Sequence, residues 1–236
     1  MSQPVVEIRD LHFRWQPDHD DVLNIADMRV EPGERLFLVG HSGSGKSTLL
    51  SLLAGVMVPQ AGTLSVLGQN LRALGSAQRD HFRADHVGFI FQMFNLIPYL
   101  SVVDNVLLPL RFSRTRREHV ARLRHAETDE ALRLLEHLGL TDKALLQRQV
   151  TELSVGQQQR VAAARSLIGA PQLLIADEPT SALDPHHRQA FIELLFRECK
   201  EQGSTLLFVS HDHTLGGRFD RRLDMHDINA VRQEVD

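Results

Sequence analysis

Gly40-His41-Ser42-Gly43-Ser44-Gly45-Lys46-Ser47-Thr48 decides the fold of this chain. The stretch satisfies G-x-x-x-x-G-K-[ST] at each fixed position, and average residue frequencies put a chance match at roughly one in a hundred chains of this length. Its flanks supply the context that the template needs. Arg35-Leu36-Phe37-Leu38-Val39 is a short apolar run that reads as a buried strand, and Leu49-Leu50-Ser51-Leu52-Leu53-Ala54 continues past the lysine as an apolar helix. A strand, a glycine loop and a helix N-terminus turn backbone N–H groups onto one anion, and the helix dipole favours negative charge there. Glycines let the backbone wrap phosphates with no Cβ in the way. In such a loop Lys46 reaches the β- and γ-phosphates and the Ser47 hydroxyl faces Mg2+. A glycine-rich turn that merely caps a core helix is the bland alternative, and the strand–loop–helix order argues against it.

Outward from this loop, Val5 to Trp15 alternates imperfectly and reads as a strand, and Val22 to Val30 as a second, closed by the turn Glu31-Pro32-Gly33-Glu34. Val58-Pro59-Gln60-Ala61-Gly62 is a turn leading into the strand Thr63-Leu64-Ser65-Val66. Strand signals give way to helical ones after Gln92. Ala131, Leu134, Leu135 and Leu138 form an apolar stripe ended by Gly139. Helical character persists to about Ile168, followed by a strand at 173–176, a helix near 186–202 and a strand at 205–209. The expected architecture is α/β: a parallel-sheet core, an inserted helical lobe at about 93–168, and a small antiparallel sheet, all within one domain spanning 1–236.

A second segment, Leu153-Ser154-Val155-Gly156-Gln157-Gln158-Gln159-Arg160, narrows the class. It resembles the signature sequence of ATP-binding cassette (ABC) ATPases, which other P-loop families lack. Further elements resemble that family in the expected order. Gln92 follows Val87-Gly88-Phe89-Ile90-Phe91 as a Q-loop glutamine does, and Leu173-Leu174-Ile175-Ala176-Asp177-Glu178 is similar to a Walker B strand. Ser181-Ala182-Leu183-Asp184 resembles the D-loop, and His211 after Leu206-Leu207-Phe208-Val209-Ser210 the switch histidine.

The resemblance implies Mg-dependent hydrolysis of ATP. Ser47, Gln92 and Asp177 would address the metal, Glu178 would orient or deprotonate the attacking water, and His211 would contact the γ-phosphate. Asp177 and Glu178 are adjacent at a strand end, where alternation predicts side chains on opposite faces. Gln157 opens a helix-forming run, so Ser154 and Gly156 fall at a helix N-terminus suited to a phosphate. In ABC ATPases that signature closes over ATP held by another subunit. One P-loop, one Glu178 and one signature therefore imply a head-to-tail homodimer, with Asp184 at the nucleotide too. Trp15 stands where the family places the aromatic residue that stacks on adenine; Phe13, on the same strand face, is the competitor and is expected beneath it.

Phe91-Gln92-Met93-Phe94-Asn95-Leu96-Ile97-Pro98 and the triple glutamine resemble the lipoprotein-releasing, macrolide-exporting and cell-division branch of bacterial ABC ATPases. That implies a transmembrane permease partner and a place on the cytoplasmic face of the inner membrane. The work done is either transport or mechanical regulation of a cell-envelope process. A soluble ABC ATPase acting on ribosomes or DNA is disfavoured, because this chain has neither two cassettes nor a long coiled-coil insertion. Apolar side chains at Phe94, Leu96, Ile97, Pro98 and Tyr99 suit equally a groove for the partner and the lobe's own core. Departures from the pattern are His41 where proline is usual, Val155 where glycine is usual, and Asp227-Ile228-Asn229 where an Asp-Gly turn is common.

Composition sets limits. With 26 basic and 30 acidic residues the net charge is −4, which offers no global field for nucleic acid, and no nucleic-acid partner is expected. Cys199 is the only cysteine, so no internal disulfide is possible. Neither a secretion signal nor a membrane-spanning stretch is expected, and no C-terminal regulatory domain. Arg111, Arg114, Arg116, Arg117, Arg122 and Arg124 read as a solvated helix face rather than a contact for anionic lipid. The histidines, including His186-His187 and His211-Asp212-His213, show no zinc-like spacing.

Overall fold

The imperfect alternation of the first strand has a structural cause. In the computed structural model, which describes residues 3–124 and 126–231, β1 (Val6–Phe13) pairs antiparallel with β2 (Leu23–Val30) in unbroken register, from Val6 opposite Val30 to Phe13 opposite Leu23. Against β4 (Ala61–Val66) the register shifts between Arg9 and His12. Asp10 takes φ 48° at this bulge. Its carbonyl crowds Gly62, where a Cβ would lie 2.1 Å from the oxygen, so only glycine fits. The extra residue lets Val6, Ile8, Leu11 and Phe13 all be buried, although Ile8 to Leu11 breaks the period of two. With β5 (Gln69–Asn70) the sheet order is β2-β1-β4-β5. Met1 and Ser2 of the N-terminal stretch lie outside the described residues, as does the side chain of His186.

Two compact units divide the chain: Met1–Arg83 with Thr205–Asp236, and Ala84–Ser204. In the first, β3 (Arg35–Val39) lies between β8 (Thr205–Val209) and β9 (Arg221–Asp224), parallel to both. β8 is buried along its whole length, which is why it reads as an uninterrupted apolar run. Phe37, Phe208 and Phe219 cluster there, with Phe219 at 5.0 and 5.1 Å from the other two rings. α1 (Lys46–Leu53) leaves β3 through the glycine loop and buries Leu49, Leu50, Leu52 and Leu53. α2 (Ser76–His86) and β9 have no counterpart in the sequence reading. α2 buries only Phe82, so it carries no apolar stripe to detect.

In the second unit, β6 (Val87–Ile90) pairs in parallel with β7 (Leu173–Asp177). Between them in sequence come α3 (Val102–Phe112), α4 (Arg114–Arg122), α5 (Glu127–His137) and α6 (Val155–Leu167), and α7 (Pro185–Gln202) follows β7. The apolar stripe of α5 is buried as the spacing predicts. The basic run is not a uniform solvated face. Arg116 is 2% exposed and donates to the carbonyls of Val87, Ser166 and Ile168. Burial pushes its guanidinium down to about 10, with Asp85 acting in the opposite sense. Arg116 therefore joins α4 to β6 and to the end of α6, while Arg114 and Arg117 stay exposed. The α/β architecture, a parallel sheet with helices plus an antiparallel sheet, is the one the sequence predicts. No helix among the described residues is long and apolar enough to cross a membrane.

Candidate functional site

The glycine loop is built as an anion cradle. Gly45, the N-cap of α1, has φ 93° and offers no side chain to the first-turn amides. Those N–H groups are therefore left for a ligand. A Cβ on Gly40 would lie 2.6 Å from Ser44 Oγ, and one on Gly45 would lie 2.6 Å from Leu23 Cδ2. Lys46 curls over its own loop, Nζ donating to the carbonyls of Gly40 at 2.6 Å and His41 at 2.7 Å. His41, Ser42, Gly43 and Ser47 are exposed, while Thr48 is buried beneath the helix. Ser44 presents a buried hydroxyl with no partner among the described residues. An uncapped helix end, a lysine and a free hydroxyl suit the oxygens of a phosphate chain.

Asn229 supports this loop from the far end of the sequence. It follows α8 (Met225–Ile228) and is 8% exposed. Its Oδ1 accepts from Asn24 N–H at 2.8 Å, and its Nδ2 donates to the carbonyls of Val22 at 3.0 Å and Ser44 at 3.4 Å. Trp15 is 60% exposed, with Phe13 buried beneath it, ring centroids 5.4 Å apart and edge to face. A cavity of about 500 Å³ opens beside the indole, lined also by Asp18, His19, Asp20, Val22 and Val231. Asp21 is held below the usual carboxylate range by its hydrogen bond from His12, with Arg14 adding to it. His211 is exposed directly after β8.

The second unit carries the remaining motif residues. Asp177 is the last residue of β7, but Glu178 lies past the strand with φ 47°. Strand alternation therefore does not govern the relative direction of the two carboxylates, which corrects the sequence argument; the left-handed backbone sets it instead. Ser154 caps α6, its Oγ accepting from Gln157 N–H while Gln157 Oε1 accepts from Ser154 N–H at 2.9 Å. This capping box fixes the helix N-terminus where the signature places it. Ser154, Gly156, Gln157, Arg160 and Asp184 line one cavity of about 510 Å³, so signature and D-loop meet there. A Cβ on Gly156 would only touch Leu183 Cδ2 at 3.7 Å, so folding of this chain does not itself demand glycine there. Asp184 Oδ1 accepts from His187 N–H at 3.2 Å, and its Oδ2 lies 2.5 Å from His187 Nδ1. Gln92 is exposed just after β6.

Several residues escaped the sequence reading. Glu198 is fully buried on α7 and meets His137 at 2.6 Å. With Glu201 they place three possible ligand atoms within 4.8 Å of one another. Arg133 lies 3.0 Å from His137 Nδ1 and 3.4 Å from Glu198, so a guanidinium already supplies the positive charge. Arg165 and Asn229 also lacked a signal, because each acts on partners distant in sequence, and Asn105 lacked one because no motif marks its bonds to Ile97 and Ser101 nearby.

The family described as ABC transporter matches residues 23–181. Over 235 residues the chain is 43% identical to the uncharacterized ABC transporter ATP-binding protein YbbA of Escherichia coli K12, covering 99% of this chain and 98% of that protein. It is 38% identical to the lipoprotein-releasing system ATP-binding protein LolD 2 of Caulobacter vibrioides, over the full length of both. The solved dimeric ATP-binding cassette MJ0796 in a post-hydrolysis state, bound to ADP and Pi, superposes with a TM-score of 0.78 at 30% identity and 97% coverage of each chain. The chain belongs to the ABC transporter family. It is an ATP-binding cassette that hydrolyses ATP, of the type found in the lipoprotein-releasing relatives.

Proposed function

We propose that two copies of this chain bind Mg·ATP head to tail and that its hydrolysis drives a transmembrane permease from the cytoplasmic face of the inner membrane. The observation that carries this reading is the pair of prepared helix ends: the uncapped start of α1 beside Lys46, and the capped start of α6 beside Gly156. The first would hold the phosphates of one ATP, and the second would meet the γ-phosphate of an ATP held by the other copy. Gly156 supports this reading, since the fold leaves room there for a side chain that an approaching phosphate would not. The dimeric relative bound to ADP and Pi is consistent with it. One nucleotide-binding domain with a helical lobe at about 93–168 is part of the proposal.

In this mechanism Trp15 stacks on adenine. Gly40 to Thr48 wrap the phosphates, with Lys46 turning from its own carbonyls to the outer phosphates. Ser47, Gln92 and Asp177 would each offer an oxygen to Mg2+, a hard cation that would neutralise developing phosphate charge when bound. Glu178 orients the attacking water and takes its proton, and His211 hydrogen-bonds the transferred phosphoryl group. Asp184 lines the signature cavity on the dimer-facing side.

Glu178→Gln tests the reading. It keeps shape and removes the base, so Mg·ATP binding should persist while turnover falls by about 100-fold or more. Dimers should then accumulate with ATP in gel filtration. Near-normal hydrolysis by this variant sinks the assignment of Glu178, and a monomer at saturating Mg·ATP sinks the head-to-tail dimer.

A further inference from the structure

The stretch after Gln92 makes few backbone hydrogen bonds of its own. Phe94 and Asn95 are consecutive non-glycine residues in the left-handed region, φ 58° and 49°. The local bonds are Phe94 N–H to the Phe91 carbonyl at 2.9 Å, Asn95 N–H to the Met93 carbonyl at 2.6 Å and Leu100 N–H to the Ile97 carbonyl at 3.2 Å. Such backbone persists only where surrounding structure over-determines it. The outside support comes from two helices. Asn105 on α3 is fully buried, accepts from Ile97 N–H at 2.8 Å and donates to the carbonyls of Ile97 and Ser101. Arg165 on α6 is 9% exposed and forks onto the carbonyls of Asn95 at 2.7 Å and Phe94 at 2.6 Å.

Arg165 is the more telling support. Burial pushes its guanidinium below the ordinary arginine value, and the short bonds to these two carbonyls hold the charge. The planar fork matches two adjacent carbonyls turned to the same side, an arrangement that lysine cannot copy. α6 starts at the Ser154 capping box and is packed through Val161 to Leu167. A packed helix of this length, about 20 Å, moves as a rod.

We propose that Arg165 is a positioning residue that locks the strained turn after Gln92 to the helix that begins at the signature. Gln92 and the signature are then set together by one buried fork. A shift of the turn, by nucleotide at Gln92 or by a partner on exposed Met93 and Tyr99, is carried to Ser154 and Gly156. This rests on the role proposed above for Gln92 and on nothing assigned to Glu178.

The test is a double-mutant cycle with Mg·ATP, using Arg165→Lys, Gln92→Ala and the pair. Arg165→Lys should fold and bind Mg·ATP with KM within about twofold, because Trp15 and the glycine loop are untouched, while kcat falls about tenfold. The double variant should be no slower than Gln92→Ala alone, because both act on one element. A folded Arg165→Lys with normal kcat, or losses that multiply, overturns the link while leaving Gln92's role intact. Normal kcat in Gln92→Ala sinks the role of Gln92 and the link with it. If Arg165→Lys does not fold, native-state hydrogen exchange on the unaltered protein decides. The Phe94 and Asn95 amides should open together with the last turn of α6, and independent, faster opening overturns the link.

Discussion

Trp15 and Gln159 show how differently two residues of one motif map can be treated by the fold. Trp15 lies open beside a cavity with Phe13 under one edge, so its π-face is available to a base. Stacking of this kind is worth about 1–3 kcal/mol by analogy with bases on aromatic platforms. Trp15→Ala should weaken ATP binding by about 5- to 150-fold, Trp15→Tyr should largely preserve it, and saturating Mg·ATP should alter the emission of this single tryptophan. An emission indifferent to ATP, with unaltered affinity in Trp15→Ala, moves the adenine contact elsewhere. Gln159 in the signature helix is fully buried, and neither amide atom has a partner among the described residues. A buried unbonded amide costs about 1–3 kcal/mol, so Gln159→Met should raise Tm by several degrees. A fall in Tm would show that the amide is hydrogen-bonded through water.

At the scale of elements, the segment from Phe91 to Ser101 divides its apolar side chains between two destinations. Phe94 is buried, whereas Met93 at 81% and Tyr99 at 76% exposure face outward. Phe94 therefore serves the core of its own unit, while Tyr99 is left open at the surface. Met93→Glu with Tyr99→Glu should leave basal ATP turnover and Tm within about 20% and 2 °C, as surface changes do, and abolish co-purification with the proposed permease. Retained coupling would place the partner elsewhere. Elements were legible in the sequence where a local pattern dictates them. The glycine loop, the stripe of α5 and the start of α6 at Ser154 need only neighbours a few residues away. α2 was invisible for want of a stripe, and Arg116 was misread because its carbonyl partners Val87, Ser166 and Ile168 come from other elements. Alternation fails at Glu178 because nothing in Asp177-Glu178-Pro179 announces a left-handed backbone.

Across the whole molecule, long-range ties lie beyond what a linear pattern can show. Asp220 accepts from Arg35, 185 residues away, joining the starts of β3 and β9. That hydrogen bond holds Asp220 below the usual carboxylate range. In the window between its folded and ordinary values the unfolded chain binds more protons. The stabilisation is therefore present at neutral pH and lost as pH falls through the folded value. The pair is exposed, so its contribution is small. Asp220→Asn should lower Tm by about 2–4 °C at pH 7, with the difference from the parent vanishing toward pH 3. An equal loss at both pH values would assign the effect to packing.

Asn229 ties the end of the described chain to the phosphate loop, and this makes the tail a gauge of the nucleotide. Whatever steadies Ser44 and Val22 also steadies the turn that follows α8, because one buried amide serves all three. By mass action a ligand held 100-fold above its Kd adds about 2.7 kcal/mol to the state that binds it. Carboxypeptidase trimming past Asn229, which needs that turn to open, should slow about 100-fold in ATP and recover its pace in Lys46→Ala.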